Sequence, residues 1–194
     1  MSAVFAETHI RALQLAKDCV EMGARMRTVS RITGLSIKTL RSIFYLDSAS
    51  ASGRWPESSD WYHRNTLVVK AEASVFAVIL ATLLVEHRCK PAEAFVCAYR
   101  LYLERFPLKP CLPFERAFTL ACELHGIWEG GPPKLTLHTC RVCRSRYVVA
   151  VGDQSADYSG CVFCKLLKRY PREPHLRAHF VAQGVLTGSK RSAN

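Results

Sequence analysis

The sequence predicts a mostly α protein. A helical N-terminal domain with a helix-turn-helix-like hairpin is followed by a small C-terminal zinc-ribbon-like domain with short strands. The prediction rests on a periodicity, a break and a pair of cysteine motifs. Apolar residues recur at three- and four-residue spacing through much of residues 5–128. Gly130-Gly-Pro-Pro133 then interrupts the pattern. Beyond it, Cys140-Arg-Val-Cys143 and Cys161-Val-Phe-Cys164 enclose seventeen residues that begin with a β-branched and aromatic run. The expected division is a helical domain over 1–130, a metal-binding domain over 134–180 and a polar tail over 181–194, expected to be disordered.

In chain order, residues 5–27 suit a helix with Ile10, Leu13, Ala16, Val20 and Ala24 along one stripe. Residues 26–44 fit a helix-turn-helix. The first helix ends near Thr33, Gly34 supplies the left-handed turn, and the Ser36 hydroxyl caps the second helix. Val29, Leu35, Leu40 and Ile43 are expected to pack the pair together, leaving Lys38 and Arg41 outside. Residues 46–60, rich in Ser, Asp and Gly, form a loop that Trp55 and Trp61 pin to the core. From Trp61 to His87 the chain is apolar on all sides and suits a central helix. Its longest apolar run, Ala73 to Val85, is too short to span a bilayer. Pro91 suits the first turn of another helix, striped by Phe95, Ala98, Tyr99, Tyr102 and Phe106. A further helix carries Phe114, Phe118, Ala121, Leu124 and Trp128. These aromatic stripes are core positions.

Between the cysteine motifs, Arg146 to Val151 is a strand and Gly152-Asp153 a turn, with a second strand expected before Cys161. Leu166 to Tyr170 is a helical turn, broken by Pro171 and Pro174. Two Cys-x-x-Cys motifs at this separation supply four thiolates, the donor set of a closed tetrahedral zinc site. Cys140, Cys143, Cys161 and Cys164 are therefore the expected ligands of one structural Zn2+ per chain. A unit of about 40 residues cannot build a sufficient core alone, and zinc binding worth about 10–16 kcal/mol in finger peptides becomes folding energy. His138, His175 and His179 are substitute ligands in principle. With four cysteines present, they are expected at the surface or on phosphate.

The formal charge of +11 is unevenly spread. Residues 134–194 carry eleven basic and three acidic residues, whereas residues 55–133 carry eight and nine. Such concentration points to a polyanionic partner, nucleic acid before anionic membrane. Arg141, Arg144 and Arg146 beside the first motif, and Lys165, Lys168 and Arg169 beside the second, are the candidate phosphate contacts. Lys38 and Arg41 are a second set, if the hairpin lies in a major groove. An ordinary hairpin with a solvated outer face has the same pattern. Tyr147 and Phe163 are expected in the small core of the metal domain.

The other five of the nine cysteines, Cys19, Cys89, Cys97, Cys111 and Cys122, are isolated. An odd count, with no basic n-region and apolar core at the N-terminus, fits a reducing cytoplasm and no signal peptide. No Gly-rich phosphate loop, His-Glu-x-x-His, Gly-x-Ser-x-Gly or paired acidic pattern occurs, so no enzymatic activity is expected. A zinc-ribbon module of the RNA or translation machinery and a dithiol oxidoreductase are the alternatives. The long apolar helical part suits neither and is better matched to a protein partner.

Gly23-Ala-Arg25, Asp60-Trp-Tyr62, Ala98-Tyr-Arg-Leu-Tyr-Leu-Glu104 and the two cysteine motifs with a basic tail together resemble FlhC, the flagellar master transcriptional regulators of motile bacteria. The resemblance runs through most of the chain. It implies a cytoplasmic activator that binds double-stranded promoter DNA of flagellar operons and recruits RNA polymerase. It also implies a partner, FlhD, in a complex of two FlhC with four FlhD subunits. The family's zinc ligands fall on Cys140, Cys143, Cys161 and Cys164.

Overall fold

The computed structural model describes residues 2–45, 60–128, 130–152 and 160–182. Helix α1 runs Ser2–Glu21. It stops short of residue 27 because Gly23 turns left-handed (φ 83°). The Gly23 N–H donates to Val20 O and the Ala24 N–H to Cys19 O, closing the orphan carbonyls of the last turn. Within its expected stripe, Ala16 and Ala24 are buried but Ile10 is 66% exposed.

Helices α2 (Met26–Thr33) and α3 (Ile37–Phe44) form the anticipated hairpin. Gly34 lies at φ 74° and donates its N–H to Ser30 O at 2.8 Å. The Ser36 hydroxyl accepts from Thr39 N at 3.0 Å, and Ser30 Oγ donates to Leu35 O at 2.7 Å, so side chains close the turn from both sides. Val29, Leu35 and Leu40 are buried as expected. Ile43 is not: it is 48% exposed. Leu40 occupies the buried position one turn earlier, and Tyr45 closes the helix end through its hydroxyl on Ala24 O, which leaves Ile43 on the open side.

The stretch expected as one helix from Trp61 divides into α4 (Asp60–Arg64) and α5 (Leu67–Val85). Thr66 starts the second helix, its hydroxyl accepting from Val69 N at 3.4 Å. By length and composition α5 is apolar enough to cross a membrane, because it begins well before the Ala73–Val85 run; half of it is buried inside this fold. It is the central element, packing on α6 (Pro91–Arg105) and α7 (Phe114–His125) and on the strands and helix that follow. Phe76 of α5 meets the rings of Phe95, Tyr99 and Tyr102 edge-on, so the aromatic stripes of the sequence do converge on one core. Gly126 ends α7 at φ 63°, and a Cβ there would stand 2.9 Å from Gly131 O, so both conformation and space require glycine.

Strands β1 (Leu135–Thr139) and β2 (Arg146–Ala150) pair antiparallel with Leu137 opposite Val148. The partner of β2 thus precedes the first cysteine motif. The strand expected after Gly152-Asp153 falls in 153–159, outside the described residues, as do the loop 46–59 with Trp55 and the tail from 183. Helix α8 (Val162–Arg169) starts earlier than the expected turn at Leu166, and Pro174 opens a further helix, α9 (Pro174–Ala182), rather than ending one. Proline at the first helical position lacks only an N–H that would have no intrahelical partner there.

The cysteine-bearing segment is not held at arm's length from the helices. Val148 N–H donates to Ser74 Oγ of α5 at 3.2 Å, and Tyr62 Oη of α4 donates to Val148 O at 2.8 Å. Leu135 and Val148 belong to the large helical core, while Ala71 of α5 joins Tyr147, Val162, Leu166 and Leu176 in a second cluster around the cysteines.

Candidate metal centre and basic face

The first motif is the bend of the β1–β2 hairpin. Cys140 N–H donates to Ser145 O, Arg144 N–H donates to Cys140 O, and Arg144 takes the left-handed conformation (φ 63°) that curls the chain round the sulfurs. Val142 N–H points at Cys140 Sγ, 3.4 Å away. The second motif comes from a different kind of element: Cys161 is the N-cap residue of α8 and Cys164 lies within its first turn.

All four sulfurs lie within 4.8 Å of one another. Cys140 Sγ is 3.8 Å from Cys164 Sγ, and Cys143 Sγ is 3.7 Å from Cys161 Sγ. Zinc–sulfur bonds of about 2.3 Å at tetrahedral angles put neighbouring sulfurs about 3.8 Å apart. A disulfide needs about 2.0 Å. The chemistry of the cluster agrees with the geometry. Hydrogen bonds from Ser145 pull the Cys143 thiol down to about 6, while its hydrogen bond to Cys143 and burial hold Cys164 up to about 12. Four adjacent sulfurs cannot all ionise without a cation among them. The donor set, spacing and partial burial fit a closed four-thiolate zinc site, which offers no open position for substrate.

Cations surround this centre. Arg141, Arg144 and Arg146 are exposed on the hairpin, and Lys165, Lys168 and Arg169 are exposed on α8. Lys165, Lys168 and Arg169 share a polar hollow with Arg172 and Glu173. Arg169 Nε also stands 3.9 Å from Glu173 Oε1. Lys38 and Arg41 are exposed on α3, apart in sequence and element from this group. Tyr147 is buried and Phe163 half-buried, as core positions should be.

Two features escaped the sequence. Lys70 of α5 lines a cleft with Lys165, and its ammonium is pushed below its ordinary pKa by burial and then by the Lys165 charge. No local pattern links residue 70 to residue 165; only the packing of α8 on α5 does. The other is His179, expected on the surface or on phosphate. It is half-buried, with Nε2 2.9 Å from Oε1 of Glu72. His175 is exposed and faces Glu173 at 3.3 Å. The buried side of α9 is made by Leu176, His179 and Phe180, and His175, in the first turn, falls at its edge and stays exposed. His138 is half-buried and edge-on to Tyr147.

Comparison with known proteins places this architecture. The family model for the flagellar transcriptional activator FlhC matches residues 2–176. Similar proteins include the flagellar transcriptional regulator FlhC of Variovorax paradoxus, 26% identical over 95% of this chain and 83% of the relative. The FlhC of Paraburkholderia atlantica is 31% identical over 80% of this chain and 70% of its own length, and that of Yersinia enterocolitica 30% over 70% and 69%. Transcriptional regulators are not a class of enzyme, in keeping with a cysteine centre that has no open position. From the hairpin at its N-terminal end to the cysteine centre at its C-terminal end, this chain belongs to the FlhC family of flagellar transcriptional activators.

Proposed function

We propose that the chain is a DNA-binding activator subunit that acts in the cytoplasm with FlhD at promoters of flagellar operons, where the complex recruits RNA polymerase. One Zn2+ held by Cys140, Cys143, Cys161 and Cys164 fixes the β1–β2 hairpin against α8. That arrangement presents Arg141, Arg144, Arg146, Lys165, Lys168 and Arg169 to the phosphate backbone. The observation that carries the reading is this crowd of exposed cations on a cysteine centre that has no room for chemistry. Phosphate contacts dominate affinity, so this face would supply most of it. Lys38 and Arg41 on α3 are the residues placed to discriminate bases.

The FlhD surface is assigned to the helical part. Val4, Phe5 and Ile10 on α1 are 71%, 76% and 66% exposed, apolar surface that a protein partner would cover. A dithiol oxidoreductase fits poorly, because both motifs bring all four sulfurs to one point, within 4.8 Å of one another, where a redox site needs a single pair. A free-standing RNA-binding ribbon fits poorly, because β2 is bonded into α4 and α5.

The test is co-expression with FlhD, sizing of the product, and titration of a flagellar promoter duplex and a duplex RNA. A stable hetero-oligomer that binds the promoter more tightly than the chain alone, and more tightly than RNA, supports the proposal. Equal promoter affinity with and without FlhD, or equal affinity for RNA, contradicts it.

A further inference from the structure

Glu72 is a carboxylate in the middle of α5, 1% exposed. Three other parts of the chain meet on it. Tyr102 Oη of α6 donates to Oε2 at 2.5 Å, and the Cys111 N–H, from the connection between α6 and α7, donates to the same oxygen at 2.7 Å. His179 Nε2 of α9 lies 2.9 Å from Oε1. The Cys111 thiol stands beside them: Glu72 oxygen, Cys111 Sγ and His179 Nε2 all fall within 4.8 Å of one another. Nitrogen, thiol sulfur and carboxylate oxygen are thus gathered at a point where three distant parts of the chain converge.

We propose that Glu72, Cys111 and His179 form a second metal site, distinct from the four-cysteine centre, that takes a borderline divalent ion of the Zn2+ or Co2+ class. The donors match such an ion: zinc sites combine imidazole, thiolate and carboxylate, whereas Mg2+ and Ca2+ take oxygen alone. The spacing is close to what tetrahedral coordination needs. Mixed nitrogen, oxygen and sulfur ligands at zinc stand about 3.3–3.6 Å apart, so the ion would part His179 from Glu72 by a few tenths of an ångström and draw the Cys111 sulfur inward. Tyr102 and the Cys111 N–H hold the second carboxylate oxygen and fix the orientation of Glu72, the supporting role that outer partners play around metals. Three protein ligands leave a fourth position for water. Glu72 also lines an apolar cleft of about 370 Å³ with Val75, Phe106, Phe163, Leu166 and Phe180, through which that water would come. Binding replaces the Cys111 thiol proton with the metal and releases it to solvent. The ion would then tie α9 to the core helix.

The same side chains also form a hydrogen-bonded tie without metal, and Cys111→Ser separates the two roles. Residue 111 reaches Glu72 through its backbone N–H, so the substitution removes a metal ligand and leaves the Tyr102–Glu72–His179 contacts in place. The experiment is zinc content by mass spectrometry, and Co2+ titration followed by absorbance, on the full chain in its FlhD complex. Wild type should hold more than the one equivalent of the four-cysteine centre, with a second Co2+ spectrum of single-thiolate character. C111S should lose that second equivalent or bind it more than about tenfold more weakly, with unchanged circular dichroism. H179Q should do the same, and it serves should C111S fail to fold. Saturation of wild type at one equivalent, or a second equivalent indifferent to both substitutions, overturns the proposal.

Discussion

Thr28 and Glu115 stand 87 positions apart and share a 2.6 Å hydrogen bond, the Thr28 hydroxyl donating to Oε2. The other oxygen, Oε1, accepts the Arg25 N–H at 2.8 Å. Arg25 is the N-cap residue of α2 and contributes no side-chain cap of its own. A carboxylate in the first turn of α7 therefore caps the first helix of the hairpin. The negative charge also sits at the positive end of α2.

Glu115→Ala should accordingly destabilise the chain by about 1.5–3 kcal/mol, the range for hydrogen bonds to a charged group. Thr28→Val, which keeps the shape and loses one donor, should cost about 1 kcal/mol. Urea unfolding midpoints check the totals. Amide exchange should accelerate first in residues 26–44. Uniform acceleration, or no change in midpoint, would show that α2 does not depend on this cap.

Loss of zinc should be felt beyond the cysteine segment. Cys161→Ser, or extraction by a strong chelator, frees the hairpin from α8. Because Val148 is bonded to Ser74 and Tyr62, and Leu135 lies in the main core, α5 loses its cover. The expected outcome is a lower Tm for the whole chain, binding of a hydrophobic dye, and most of the helical circular dichroism retained at low temperature. A zinc-free chain that melts like the wild type contradicts this.

The sequence carried the parts whose cause is local. Gly34 and Ser36 are a turn and a cap within three positions of each other, and the cysteine motifs announce a shared ligand. The aromatic stripes at helical spacing likewise became the core around Phe76. What it did not carry depends on distant residues meeting. Gly23 ended α1 early through its own backbone conformation, which helical periodicity does not register. Nothing local marks Glu72; its meaning comes from Tyr102, Cys111 and His179, which meet it only in the fold. Pro174 opens a helix where a break is expected, because proline both ends helices and begins them and the local sequence does not decide which. Ile43 held a plausible core spacing, yet Leu40 and Tyr45 took the buried places.

Stability should fall at alkaline pH. Burial pushes the Cys19 thiol up to about 12, and pushes the Tyr45 and Tyr62 phenols up to about 12 as well. The unfolded chain releases these protons near their ordinary values of about 8.5 for Cys and 10 for Tyr, while the folded chain keeps them. The folded state then binds more protons, so stability is whole below about pH 8.5 and declines as pH rises toward 12. Urea midpoints between pH 8 and 11 should show the decline, and Cys19→Ala should flatten its lower part. A midpoint that is flat to pH 11 would mean that these groups titrate alike in both states.

The most direct test of the account is the salt dependence of promoter binding by the chain in complex with FlhD. Each phosphate contact on B-DNA contributes about 0.9 to the slope of log affinity against log salt. Replacing Arg144, Arg146, Lys168 and Arg169 together by Ala should weaken binding to promoter and random duplex alike and flatten the slope by up to about 3.6. Replacing Lys38 and Arg41 should change the slope less and instead erode discrimination by about 1–3 kcal/mol at particular base pairs. An unchanged slope in the first variant, with the slope lost in the second, would contradict the claim and make the α2–α3 hairpin the main contact with DNA.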